Sequence, residues 1–149
     1  MATRRLMPPV YFLVALVTMV VLNAFLPIVQ VIESQTRFAG VLLILFGGWL
    51  AATGSRLFDK HNTTVRPFEE STALIKEGPY RFSRNPMYLG MVVLLVGVAT
   101  ILGTLTPIIV IPVFMWVITM RFIVHEEKAL EQQFGREYTD YQKSVRRWL

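Results

Sequence analysis

Residues 78–90 read GPYRFSRNPMYLG, and the apolar run MVVLLVGVATIL follows at once. Two arginines, three aromatic residues and two prolines crowd this short stretch. Pro86 decides how the boundary is read. A proline costs nothing in the first turn of a helix, where its missing N–H has no partner to lose, but it breaks a helix interior. Asn85 before it suits an N-cap. The expectation is a helix that opens at Pro86 and carries the apolar run, with Gly78-Pro79 forming a turn ahead of it. Such a helix start presents backbone N–H groups and a positive dipole end, which can receive a carboxylate or a phosphate. Interfacial anchoring is the second reading, because tyrosine and arginine decorate membrane boundaries. Gly90 removes a side chain where a ligand or a neighbouring helix presses close.

Working outward, the chain is too apolar for an ordinary soluble domain: 54% of its 149 residues are hydrophobic and mean hydropathy is +0.50. Four segments are candidates for crossing a bilayer, at about residues 9–31, 38–57, 87–102 and 105–123. The last two are joined so closely that they form a tight helical hairpin. The first is too long for the apolar core of a signal peptide and is followed by further spans, so it reads as a retained transmembrane helix. A soluble protein of this size would lack the polar chain needed to cover four such segments. The fold expected is a single all-α integral membrane domain over residues 1–149, with an amphipathic helix over 126–147. The absence of cysteine excludes disulfides, thiolate metal sites and a catalytic thiol.

The net charge of +5 is a topology signal. Of fifteen Lys and Arg residues, only Arg37 lies between the first and second spans, and none lies between the third and fourth. The other fourteen fall on one side, which the positive-inside rule assigns to the cytoplasm. Both termini and the loop 58–85 are expected there. Nine of ten acids share that face, Glu33 being the exception. A plain anchor needs only cations, so a face of mixed charge reads as a working surface. No nucleic-acid-binding motif accompanies the basic residues, and no nucleic-acid partner is expected.

Three features on that face carry chemistry. The loop 58–85 is far longer than the usual connection of about 4–6 residues, and its aromatics argue for order. Within it, Ser71-Thr72-Ala73-Leu74-Ile75 is a short apolar rise that can dock on the membrane face. At the end of the fourth segment stand His125, Glu126 and Glu127. Adjacent carboxylates beside a bilayer are costly unless solvated, paired or used. A zinc-protease motif fails because Ala129 stands where a second histidine is required, and no metal is expected. The tail places Leu130, Phe134, Tyr138, Tyr141, Val145 and Trp148 on one helical face, and Gly135 marks a bend in it.

GPYRFSRNPMYLG, a helical hairpin, and then Glu126-Glu127 followed by Gly135-x-x-Tyr138-x-x-Tyr141 and a basic end resemble the isoprenylcysteine carboxyl methyltransferase family. The phospholipid N-methyltransferases are similar. The resemblance covers about residues 61–148. It implies S-adenosylmethionine as cofactor and a lipophilic substrate, a lipid or a prenylated compound, that enters from the membrane. Residue by residue, it implies a cofactor site formed by Thr72, Ala73, Leu74 and Ile75, then Tyr80, then Asn85, Pro86, Met87 and Tyr88, closed by Glu126 and Glu127. Arg121 is the loose match to the family's substrate-linked arginine. Asn85 departs from the family's Arg-His-Pro. Asparagine donates and accepts hydrogen bonds but cannot become a cation, so this position holds no acid–base group near neutral pH. A membrane sterol-type reductase using NADPH also resembles Arg-x-Pro-x-Tyr, but would be expected to show Arg and Lys in place of the acidic pair, to grip the extra phosphate. A non-catalytic scaffold that kept the fold is the third reading.

Overall fold

A computed structural model describes residues 7–63 and 71–149. Arg4, Arg5, Arg66, Phe68, Glu69 and Glu70, part of the sequence reading above, lie outside the described residues. The regular structure among the described residues is helical, with α1 (Pro8–Phe25), α2 (Ala39–Lys60), α3 (Pro86–Leu102), α4 (Leu105–Ile118), α5 (Val124–Phe134) and α6 (Arg136–Ser144). Helices Pro8–Phe25, Ser34–Lys60 and Leu105–Phe134 are long and apolar enough to cross a membrane, and α3 is a shorter apolar helix of 17 residues. The sequence expectation of an apolar all-helical membrane fold therefore holds in outline.

Two boundaries differ from expectation. The first segment, expected over 9–31, is helical only to Phe25. Pro27 is the cause: the residue before a proline is pushed out of the α region, and Leu26 sits at φ −137° and ψ 56°. The residues beyond run extended and pair with the α3–α4 turn. Val31 and Ile32 donate N–H bonds to Gly103 O at 2.9 and 3.1 Å, and Leu105 N–H reaches Val29 O at 2.9 Å. Thr106 Oγ1 adds a bond of 2.5 Å to Leu26 O. Gly103 makes this turn possible, with φ +77° closing α3 in the left-handed region. The tail, expected as one helix over 126–147, is two. Gly135 (φ +51°) ends α5 and starts α6, and the chain leaves α6 extended at Val145. There is also no break between the fourth segment and the tail. A π-helical turn, Thr119–Ile123, joins α4 directly to α5.

α2 and α3 pack closely, and at their facing glycines no side chain separates the backbones. A Cβ on Gly47 would meet Gly90 O at 2.6 Å, and one on Gly40 would meet Gly97 O at 2.5 Å. Gly40, Gly47 and Gly54 recur every seven residues on α2, facing Gly97, Gly90 and the start of α3 in antiparallel order. Small residues at such spacing let membrane helices approach until van der Waals contact and Cα–H contacts replace side-chain packing. On the other side of α3, the core joins α1, α3 and α4 through Met19, Leu95, Ile118, Phe122 and Ile123, all buried. Tyr11 and Phe12 of α1 meet Phe122 and Phe114 edge to face, with ring centroids 5.5 and 6.2 Å apart. Leu13, Val17 and Val20 on α1, Leu42, Leu45 and Trp49 on α2, and Val113 and Trp116 on α4 point outward. That apolar exterior suits lipid, not water.

Candidate functional site

The seam and the core together hold the start of α3 in place beside α5, and a cavity of about 490 Å³ opens there. Pro86 is fully buried and occupies the first turn of α3, where it packs beneath Gly54. Asn85 takes the N-cap position but no side-chain cap bond forms. Its side chain turns to the chain's end and donates from Nδ2 to Arg147 O at 3.1 Å. The backbone does the local work: Asn85 N–H bonds Ser83 Oγ at 3.1 Å, and Leu89 N–H bonds Asn85 O at 2.9 Å. Ahead of it, Gly78 at φ +57° and Pro79 start a 3₁₀ turn, Gly78–Arg81, that buries Tyr80. Tyr141 OH donates to Tyr80 O at 2.6 Å, so α6 is pinned to this turn.

Of the residues named from the resemblance, Ala73, Leu74, Ile75, Tyr80, Asn85, Met87, Tyr88, Glu126 and Glu127 all line this cavity. Thr72, Pro86 and Arg121 do not. Thr72 is turned toward the end of α2, its N–H donating to Thr63 Oγ1 (2.8 Å) and its Oγ1 donating to Asn62 O (3.3 Å). Arg121 is exposed in the π-helical turn. The remaining lining includes Phe58, which the sequence reading placed in the long loop, and Tyr138 and Tyr141, which it placed on an amphipathic face and in the family motif without assigning them to the site.

The two carboxylates of the acidic pair are in different situations. Glu126 is half-buried and accepts a 2.7 Å hydrogen bond from Tyr88 OH. Burial pushes its carboxyl above the ordinary value, against the lowering effect of the Tyr88 bond, and the neighbouring Glu127 charge adds to the rise. Glu127 is held by two guanidiniums. Arg84 Nη2 reaches Oε1 at 2.8 Å, while Arg147 Nε and Nη2 reach Oε1 and Oε2 at 3.0 and 2.6 Å. The hydrogen bond to Glu127 also holds the Arg147 guanidinium above its usual range. Arg84 spends its other terminal nitrogen on Gln142 O and Val145 O, at 3.1 and 3.2 Å. Its Nε is buried without a hydrogen-bond partner among the described residues. Both carboxylates line the cavity, but Glu127 is engaged by the two guanidiniums and so clasps the chain's end, while Glu126 accepts from Tyr88.

This clasp is absent from the sequence reading. Arg84 stands inside the opening stretch and Arg147 in the basic end, but their shared partner is 43 and 20 residues away. Burial also raises the Tyr80 hydroxyl, and pushes that of Tyr138 up to about 12, so both rings enter the wall as neutral groups at any working pH. Over the outside of the loop, Lys60 and His61 hold Glu77 at 2.8 and 3.0 Å, and Gln133 bonds Ser71 O. Among the described residues no three His, Asp or Glu side chains converge as a metal site would require.

A family model described as phospholipid methyltransferase matches residues 35–137. The chain belongs to the phospholipid methyltransferase family. Similar curated proteins include a probable protein-S-isoprenylcysteine O-methyltransferase of Oryza sativa subsp. indica, 29% identical over 112 residues, or 72% of this chain and 58% of that protein. Protein-S-isoprenylcysteine O-methyltransferase B of Arabidopsis thaliana is 35% identical over 110 residues, covering 71% of this chain and 55% of that protein. The protein-S-isoprenylcysteine O-methyltransferase of Dictyostelium discoideum is 38% identical over 72 residues, covering 48% and 30%. The family resemblance read from the motifs is thus sustained. The match spans little more than half the length of the first two relatives. The matched residues 35–137 take in the α2–α3 seam, Tyr80, Asn85 to Tyr88 and the acidic pair, and stop before Tyr141 and Arg147.

Proposed function

We propose that this chain is a four-span membrane methyltransferase that uses S-adenosylmethionine and acts on a lipophilic or prenylated acceptor, with the cavity and both termini on the cytoplasmic side. The observation that carries the reading is the convergence of the apolar wall 73–75, Tyr80, the start of α3 and Glu126 on one cavity of about 490 Å³, within the usual ligand-pocket range of about 300–1,000 Å³. The relatives' printed activity, O-methylation of isoprenylcysteine, agrees with it.

The lining fits the cofactor chemically. Glu126 offers a carboxylate to an ammonium or to ribose hydroxyls by charge-assisted hydrogen bonds, and Tyr88 OH orients that carboxylate through its 2.7 Å bond. The backbone N–H groups of Met87 and Tyr88, in the first turn of α3, lack intrahelical acceptors and can receive a carboxylate. Tyr80 and Tyr88 present aromatic faces, which attract a sulfonium by cation–π interaction and an adenine by stacking. Bound there, S-adenosylmethionine supplies an electrophilic methyl group. The chain's own contribution is to position the two reactants in line and to exclude water with the Phe58, Tyr80, Tyr138 and Tyr141 rings. A carboxylate acceptor needs no base; an amine acceptor has to give up its proton before attack. Glu127 enters only through the clasp that shapes the wall.

The test is calorimetric titration of the detergent-purified protein with S-adenosylhomocysteine, set beside NADPH. Saturable binding of S-adenosylhomocysteine and none of NADPH is expected. No heat with S-adenosylhomocysteine at millimolar concentration refutes the methyltransferase reading, and binding of NADPH instead establishes the reductase one.

A further inference from the structure

The clasp leaves a second feature on its outer side that the cavity does not use. Phe82 and Leu149 are 75% and 71% exposed, among the most exposed large apolar side chains of the molecule. Unlike the apolar exteriors of α1, α2 and α4, they do not belong to a spanning helix. Both flank the residues whose contacts dock the chain's end. Arg84 N–H bonds Arg146 O at 3.0 Å, and Ser83 Oγ bonds Arg147 O at 3.3 Å. These contacts run the two segments in opposite directions, which carries Arg81 and Phe82 toward Trp148 and Leu149. Arg81 and Arg146 are both exposed, and neither has an ion-pair partner among the described residues. Arg84 and Arg147, on the inner side, are both spent on Glu127.

The depth of this patch follows from its neighbours. Phe82 lies four residues before Pro86, where the apolar α3 begins, and Trp148 packs against the core cluster formed by α1, α3 and α4. Two apolar side chains flanked by two cations without an ion-pair partner among the described residues therefore sit at the level where hydrocarbon gives way to headgroups. A water-facing surface has no use for the apolar pair, and a hydrocarbon-facing one none for the cations. The headgroup layer of an anionic leaflet satisfies both: phosphates meet the guanidiniums while Phe82 and Leu149 enter the acyl boundary. The basic face expected from the charge distribution is also the face opposed to anionic lipid.

We propose that Arg81, Phe82, Arg146 and Leu149 form a docking surface for anionic phospholipid headgroups, which seats the chain's end against the membrane and so braces the Arg84–Glu127–Arg147 clasp behind the cavity. Each arginine beside an anionic surface is worth about fivefold in the docked-to-undocked ratio, so the pair gives about thirtyfold.

The chain has no cysteine, so Phe82→Cys and Leu149→Cys each give a single site for a nitroxide spin label. The labelled proteins are reconstituted in phosphatidylcholine vesicles with and without about one third phosphatidylglycerol. Relaxation by oxygen against a water-soluble nickel chelate reports depth, and needs neither cofactor nor activity. Both labels are expected at the acyl boundary in anionic vesicles and shallower and more mobile in neutral ones. Arg81→Gln/Arg146→Gln should abolish the difference, while Lys128→Gln/Arg136→Gln, the same charge loss at exposed positions of α5 and α6, should leave it. Labels in water in both vesicles overturn the proposal. So does equal depth in both, which reduces the patch to an apolar anchor. So does equal loss in the two double variants, which would reduce it to net charge.

Discussion

Replacing Glu127 by alanine should be among the most damaging single changes outside the α2–α3 seam. The carboxylate is 10% exposed and Arg84 is 11% exposed, with Nη2 on Oε1 at 2.8 Å. Removing the acid leaves Arg84 buried with an unbalanced charge, an unpaired Nη2, and an Nε that already lacks a partner among the described residues. Breaking a buried pair from one side costs about 3–5 kcal/mol. For a chain of this size, that lowers the melting midpoint by about 6–20 °C. Arg147 gives the comparison. Its side chain is 40% exposed, water screens its share, and its loss leaves Glu127 still paired with Arg84. Arg147→Ala should therefore cost about 1 kcal/mol, or about 2–4 °C. Tryptophan fluorescence melts in one detergent measure both, because Trp148 packs against the core. If Glu127→Ala shifts the midpoint by less than 2 °C, or by less than Arg147→Ala does, the clasp does not carry the load assigned to it here.

Four further outcomes follow from the same geometry. Glu126→Gln should weaken S-adenosylhomocysteine binding about 10- to 100-fold, the worth of a hydrogen bond to a charged group. It should melt no lower than the parent at pH 8: burial raises the Glu126 carboxyl, so its stabilising share is present below the unfolded value and is lost as pH rises through the raised one. By the same shift, parent affinity for a cationic ligand should grow as pH rises through the raised carboxyl range, and titrations across it would stay flat if the carboxylate made no contact. Gly47→Ala should cost about 1–3 kcal/mol or more through overpacking against Gly90 O, whereas a Cβ on Gly48 meets nothing within 4 Å and Gly48→Ala should be neutral or mildly stabilising. Equal melting points for the two alanine variants would dismiss the seam. Gly103→Ala should cost about 1–2 kcal/mol for its φ of +77° alone, and more because its Cβ would lie 2.6 Å from Arg37 Nε; a melt indistinguishable from the parent's would show that this turn relaxes freely.

Hydrophobicity and local breakers were legible from the chain itself. Pro86 opened α3 as expected, and Gly135 bent the tail as expected, because both act through their own backbone. Pro27 carried the same kind of signal, and it outweighs the apolar run around it, since a missing N–H and a crowded neighbour act whatever the hydropathy. The glycines spaced by seven were also in plain view, but their meaning depends on the partner helix, which spacing on one strand of sequence does not name. Glu127 is the sharper case. Next to Glu126 in sequence, it resembles a second ligand for the same cofactor. The approach of Arg84 and Arg147 gives it partners that nothing in its neighbourhood along the sequence announces. Asn85 is similar: its N-cap position was readable, and the destination of its amide, a carbonyl 62 residues on, was not.

The glycine seam also bears on traffic. At Gly40, Gly47 and Gly54 the seam of α2 and α3 is so close that one added Cβ would clash, so this flank leaves no gap for a hydrocarbon tail. Under the proposed function, an amphiphile that keeps its tail in the bilayer while its head reaches the cavity is expected to come in along the α1 and α4 side. There the contacts are made by rotatable side chains such as Tyr11, Phe12 and Phe122, which can swing aside as a backbone seam cannot. The molecule thus has one sealed wall and one hinged one.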